Sequence, residues 1–276
     1  MVSNFTLPPT GFGPGSQPAE DDVAYMPLPS GMRTYTPHTP DIDDPDNAAP
    51  VLTRLAAIAD ACDDAANGGP TSAFDLADLS PPARRLMAET LGEGEVSMKL
   101  AGIPALAVQE SVFAGIWQMA GAGIDRVAVG PAPVEAGDRA FQPSRPAQGA
   151  AAPKPPGVLN APALLAELLD KSGDHLPGAA PHVVNLTLLP HGEGDLAWLD
   201  AALGLGSVTI LSRGYGNCRI TATATPHVWR IQFFNSVETL ILDTFEVADL
   251  PEVARAATED LADSARRIRA VIEAIR

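Results

Sequence analysis

Cysteine is nearly absent from this chain: Cys62 and Cys218 are the only two in 276 residues. With no CxxC pair and no ladder of spacings, they support neither a disulfide framework nor a structural zinc site. Charge is scarce too, at 19% of residues, and positive charge is scarcer, with 18 Lys and Arg against 34 Asp and Glu for a net −16. A field of that sign repels phosphate backbones and anionic membrane surfaces, so no nucleic acid is expected as a partner. It attracts a basic peptide, or serves solubility alone. No uninterrupted apolar run reaches the ~20 residues that span a bilayer, and Met1-Val2-Ser3-Asn4 has no basic stretch leading into an apolar one. A cytoplasmic protein without membrane insertion is the expectation. GxSxG, HExxH, Walker and EF-hand patterns are all missing, so no catalytic residues, no metal and no cofactor are expected.

Tryptophan occurs only three times, and that scarcity makes one coincidence informative. Leu-Gly-x-Gly-x-Val occurs at Leu91–Val96 and again at Leu203–Val208, a shift of 112 residues (208 − 96 = 112). At the same shift Gly102 meets Gly214, Val108 meets Ile220, Ile116 meets Val228 and Trp117 meets Trp229. Upstream, Pro50 and Leu52 match Pro162 and Leu164, while Leu76 pairs best with Leu186. The pattern reads as two tandem related units.

Residues 1–49 are rich in Pro, Gly and Asp, which disfavours helix and central strand and reads as an extended arm. A first unit is expected over 50–136, with helices at 50–66 and 81–90 and strands at 94–100, 105–111, 113–119 and 126–129. The Pro/Ala-rich stretch 137–161 reads as a semi-rigid linker. A second unit is expected over 162–276, with helices at 162–171 and 194–202. Strands at 207–212, 217–224, 228–234 and 239–245, joined by tight turns, then form an antiparallel meander. A last helix is placed from Pro251, capped by Asp249. Its stripe of Leu261, Ala265, Ile268, Ile272 and Ile275 is assigned to cover its own sheet. The fold class is α+β, each unit a sheet of about four strands packed with helices.

Three places offer chemistry. His191-Gly192-Glu193-Gly194-Asp195 has potential ligands, but it is also an ordinary polar loop with an acidic helix cap. Cys218, beside Arg219, is either a thiol served by His227 or a small apolar residue at a strand edge. The third is a polar strip of Arg213, Tyr215, Asn217, Arg219, Arg230, Gln232, Asn235 and Ser236, where the first unit has the bland Ala101–Ala105. Such side chains suit a protein- or peptide-binding surface or a merely solvated sheet face.

At these residues a resemblance enters. Leu211-Ser212-Arg213-Gly214-Tyr215-Gly216-Asn217-Cys218-Arg219-Ile220 and Val228-Trp229-Arg230-Ile231-Gln232-Phe233-Phe234-Asn235-Ser236 resemble the carboxyl-terminal region of the HupH/HyaF/HoxQ hydrogenase-expression proteins. Ile241–Val247, the stretch from Pro251 to Ser264, and the amino-terminal Gly13–Gln17 and Met26–Met32 are similar to the same family. The resemblance implies a non-enzymatic accessory protein in [NiFe] uptake hydrogenase maturation. Its implied client is the iron–sulfur small-subunit precursor before twin-arginine export. A second small-subunit chaperone and a rubredoxin-like protein are implied co-workers. The residues expected to meet a partner are Arg213, Gly214, Tyr215, Gly216, Asn217, Cys218, Arg219, Trp229, Arg230, Gln232, Asn235 and Ser236. The other expectation is a redox or iron–sulfur role through Cys218, which needs a partner's ligands.

Overall fold

A computed structural model describes residues 45–213 and 217–275. Helix α1 (Pro45–Ala66) begins five residues before the expected Pro50, which sits in its second turn. The rest of the expected arm lies outside the described residues. Then come β1 (Ser72–Asp75), α2 (Pro81–Leu91) and a meander of β2 (Val96–Leu100), β3 (Leu106–Glu110), β4 (Ile116–Gly121) and β5 (Ile124–Val129). After a short α3 (Val134–Asp138), the same order recurs as α4 (Ala161–Asp174), β6 (His182–Asn185), α5 (Glu193–Leu203), β7 (Val208–Ser212), β8 (Asn217–Ala222), β9 (Val228–Phe234) and β10 (Leu240–Val247). Helix α6 (Thr258–Ile275) closes the chain. The class is α+β.

All ten strands form one antiparallel sheet, ordered β1-β5-β4-β3-β2-β7-β8-β9-β10-β6, where two sheets of about four were expected. One reason is that β1 and β6 are only four residues each, too short to show an alternating pattern. The other is that the first strands of the two meanders pair with each other, Met98 opposite Ile210, so neither is left as an open edge. The order reads alike from both ends. In each half the short strand joins the last strand of its meander, and the next residue, Leu76 or Leu186, is buried.

Alternation along the strands sends side chains to two sides. On one side α1, α2 and α6 cover Phe74, Ile116, Val127 and Val129, while α4 and α5 cover Val184, Val228, Phe245 and Val247. The other side packs Met98, Val108, Trp117, Ile210, Ile220, Trp229 and Ile231 beneath α3 and the segments carrying Phe141, Leu250 and Ala254. Here Trp117 Nε1 donates to Gly130 O at 2.9 Å and Trp229 Nε1 to Ala248 O at 3.1 Å. Each acceptor is the residue just after the last strand of its meander. The two Leu-Gly-x-Gly motifs also do the same work. Gly92 and Gly204 end α2 and α5 at φ +57° and +69°, and a Cβ on Gly94 or Gly206 would stand 2.2 Å from a backbone carbonyl.

Two expectations about the second half need correction. The last helix starts at Thr258, not Pro251, which precedes a single 3-10 turn at Glu252–Ala254. It covers the first half's strands: Ala265, Ile268, Val271 and Ile272 pack with α1's Leu55, Ile58 and Cys62 and with Val127 and Val129, and Ile275 lies against the same cluster. An apolar stripe shows that a helix is covered but not by which strands, and α4 and α5 already occupy those of the second half. Residues 137–161 are also more than a spacer. Ala152 O accepts from Trp198 Nε1 at 2.9 Å, Ala140 O accepts from Ser207 N at 2.8 Å, and Arg145 bridges to Leu205.

Candidate functional site

Between the two groups of helices, one side of the central strands β2, β3, β7 and β8 is left uncovered by the described residues. They floor a groove of about 800 Å³, with α2 as one wall. Ser97, Lys99, Ala107, Gln109, Thr209, Leu211 and Arg219 face it, because in each antiparallel pair the opposed residues share a side. Its charge is opposite to that of the whole chain. Arg84 is matched by Asp125 at 3.4 Å and Arg126 by Glu135. Arg85, Lys99 and Arg219 have no carboxylate at ion-pair distance among the described residues, and Glu93 is the remaining acid in the lining. The β2–β3 turn and the β7–β8 turn stand at opposite ends of the floor, since Leu100 pairs with Val208 and Val96 with Ser212.

At the β7–β8 end a smaller hollow of about 260 Å³ is lined by Arg213, Asn217, Cys218, Arg219, Phe234 and Glu238. The Arg219 guanidinium stands 5.7 Å from the Phe234 ring centroid. The neighbouring β9–β10 turn exposes Val237, and the start of β10 exposes Leu240 and Ile241, adding apolar surface.

The expected partner strip divides once side chains are placed. Arg213, Asn217 and Arg219 are exposed at the hollow, with Ser236 exposed in the β9–β10 turn. Asn235 Oδ1 accepts from Val237 N at 3.1 Å and Thr239 N at 2.9 Å, so it shapes that turn. Gly214, Tyr215 and Gly216 lie outside the described residues. The other members need correction. Trp229 is fully buried and holds the sheet to Ala248. Arg230 forms a two-pronged pair with Asp243 at 3.0 and 2.6 Å and reaches Asp200 at 3.0 Å, while Gln232 leans on the same Asp243 at 3.4 Å. These groups are already engaged with one another within the fold.

Cys218 is 5% exposed, and burial, then Glu246, pushes its thiol up to about 11. It therefore carries almost no thiolate at neutral pH. His227 cannot serve it: Cys218 pairs with Phe233, six residues along β9 from His227, or about 20 Å at a strand's rise. In the His191–Asp195 loop, Asp195 Oδ1 accepts from Ala161, Leu159 and Asn160 N–H groups at 2.8–2.9 Å, and Oδ2 accepts from Gly192 N at 3.2 Å. Those donors, Ala161's first, hold its carboxyl down at about 2. It joins the starts of α4 and α5 and is no metal ligand.

One cluster escaped the sequence reading. His175 follows α4, His227 sits in the β8–β9 turn at φ +61°, and Asp249 follows β10. Their spacings of 52 and 22 residues make no motif. His175 Nε2 and Asp249 Oδ1 are 2.8 Å apart, and Asp249 Oδ2 accepts from Gly178 N at 2.7 Å. Asp249 therefore does not cap the last helix.

These features define an α+β protein whose described residues leave a groove open over the centre of one sheet. A family model described as the HupH hydrogenase expression protein, C-terminal conserved region, matches residues 158–275. The chain is 62% identical over 277 residues to the hydrogenase expression/formation protein HupH of Rhodobacter capsulatus, covering 100% of both. It is 43% identical to the hydrogenase expression/formation protein HoxQ of Cupriavidus necator, over 99% of this chain and 98% of that one. With the hydrogenase-1 operon protein HyaF of Escherichia coli it shares 32% identity, over 95% and 94% of the two chains. The solved hydrogenase expression protein HupH from Thiobacillus denitrificans is 32% identical, covering 42% of this chain and 95% of its own, with a TM-score of 0.38. The chain belongs to the HupH/HoxQ/HyaF family of hydrogenase expression proteins. Among the described residues, no helix is long and apolar enough to cross a membrane.

Proposed function

We propose that this chain is a non-catalytic accessory protein in hydrogenase maturation that holds an immature subunit in its central groove. The observation that carries the reading is the uncovered floor of β2, β3, β7 and β8, in a chain whose full-length relatives are named for hydrogenase expression and formation. Polar floor groups and exposed backbone-flanking side chains suit an extended segment of another chain. Lys99, Arg85 and Arg219 favour an acidic one.

The client in this proposal is the iron–sulfur small-subunit precursor of a [NiFe] hydrogenase before twin-arginine export. A second small-subunit chaperone and a rubredoxin-like protein are further partners, and the site of action is the cytoplasm. A basic signal peptide would respond to the net charge of −16 over the rest of the surface, not to the groove. The matching strand orders of the two halves are consistent with duplication of an ancestral unit. Purified chain mixed with small-subunit precursor, with and without its signal peptide, tests both levels. Binding of either form supports the client. Equal affinity for the two removes the signal peptide from the account, and binding of neither removes the client.

A further inference from the structure

We propose that His175, His227 and Asp249 form a binding site for one divalent late first-row transition-metal ion, distinct from the groove. The three side chains come from three elements: the end of α4, the β8–β9 turn and the residues after β10. Their ligand atoms all lie within 4.8 Å of one another. His175 Nε2 and Asp249 Oδ1 are 2.8 Å apart, and His227 Nδ1 and Asp249 Oδ1 are 3.7 Å apart. An ion with bonds of about 2.0–2.1 Å needs its ligands about 3–3.4 Å apart; the two pairs that share Asp249 stand within a few tenths of an ångström of that range, and the two imidazoles close on the ion from a separation of no more than 4.8 Å.

Two further observations point to a ligand. His227 Nδ1 is buried with no hydrogen-bond partner, an arrangement that costs free energy unless something occupies the lone pair. His227 also holds φ +61°, rare for a residue with a side chain and common where position matters more than comfort. The rings of His175 and His227 pack 4.4 Å apart, and Phe141 closes one side of His227 at 5.4 Å, so His227 has little freedom to turn away.

The donor set chooses the class of ion. Two imidazoles and one carboxylate suit zinc, cobalt, nickel or ferrous iron, whereas magnesium and calcium prefer all-oxygen sites. Three protein ligands leave at least one position open. Asp249 is also part of the wall of a cavity of about 450 Å³ shared with Gly178, Pro181, Arg255 and Glu259. Water or a donor from another molecule can reach the ion from that side. The bound ion would also tie the end of α4 to β9 and β10.

The test uses the chelator-stripped full chain, titrated with Zn²⁺ by calorimetry and with Co²⁺ by visible absorption. His227→Asn keeps a residue that tolerates the left-handed backbone, and His175→Gln provides a second variant. His182→Gln, which removes the exposed histidine paired with Glu167, is the control. Expected are one ion per chain, ligand-field bands from Co²⁺, no response to Mg²⁺, and a rise in melting temperature with Zn²⁺. His227→Asn should keep the wild-type melting curve without metal, both site variants should lose affinity by at least about tenfold, and His182→Gln should match wild type. Absence of stoichiometric binding, or binding that survives His227→Asn and His175→Gln, would overturn the proposal.

Discussion

Replacing Ile268 with Ala tests whether the two halves fold as one body. Ile268 is 1% exposed in α6, which belongs to the second half in sequence, yet it packs among α1 and the strands of the first. An isoleucine truncated in such a site costs about 2–5 kcal/mol, a large part of the ~5–15 kcal/mol that holds a domain together. For a body of this size the melting temperature should fall by about 2–4 °C per kcal/mol. Urea unfolding followed by tryptophan fluorescence is the assay, with Trp198→Phe in every protein and either Trp117→Phe or Trp229→Phe added so that one reporter remains. Because α6 bridges the halves and β2 pairs with β7, both reporters should shift to the same lower midpoint with an unchanged slope. If only the Trp229 signal moves, or two transitions separate, α6 stabilises its own half and the continuous core is wrong.

Other outcomes follow from individual groups. Arg230→Met strands the 4%-exposed Asp243 without its two-pronged partner and should cost about 3–5 kcal/mol. Much of that should return in the Arg230→Met/Asp243→Asn double variant, measured by urea denaturation. Asp195→Ala leaves four backbone N–H groups without their acceptor and should cost about 2–4 kcal/mol at neutral pH. The Asp195 carboxyl is held at about 2 against its usual 3.8, so its contribution is complete above about pH 4 and is lost as pH falls through 2. The gap between wild type and Asp195→Ala should therefore close over that window, and a gap unchanged at pH 2 would count against the assignment. Burial raises the thiols of Cys62 to about 12 and Cys218 to about 11. Neither should react with a thiol reagent at pH 8 until denaturant is added, and Cys218→Ser should leave hydrogenase maturation intact.

Much of the fold is legible in the sequence because long elements carry their own periodicity. The eight meander strands fall within a few residues of their expected places, and Trp117 and Trp229 do occupy matching positions in β4 and β9. What escaped depends on distant partners. Ser72-Ala73-Phe74-Asp75 becomes a strand only because β5 offers an edge, and nothing local in Ile268 says that its neighbour is α1. The candidate site divides the same way. Arg219 and Gln232 share the side opposite Ile220, but polarity could not distinguish the exposed Arg219 from Arg230, already bound to Asp243. The His175–His227–Asp249 cluster forms only once the ends of α4, β8 and β10 converge, so no spacing along the chain announces it.

The most direct test of the central claim is the affinity of the purified chain for the small-subunit precursor, with the groove's charge intact and reversed. In the Lys99→Glu/Arg219→Glu variant both exposed floor charges change sign while the buried cores are untouched. The account predicts an unaltered melting temperature and binding weakened by about tenfold or more, with the loss greatest at low salt. Equal affinity for both proteins would show that the groove does not hold the client.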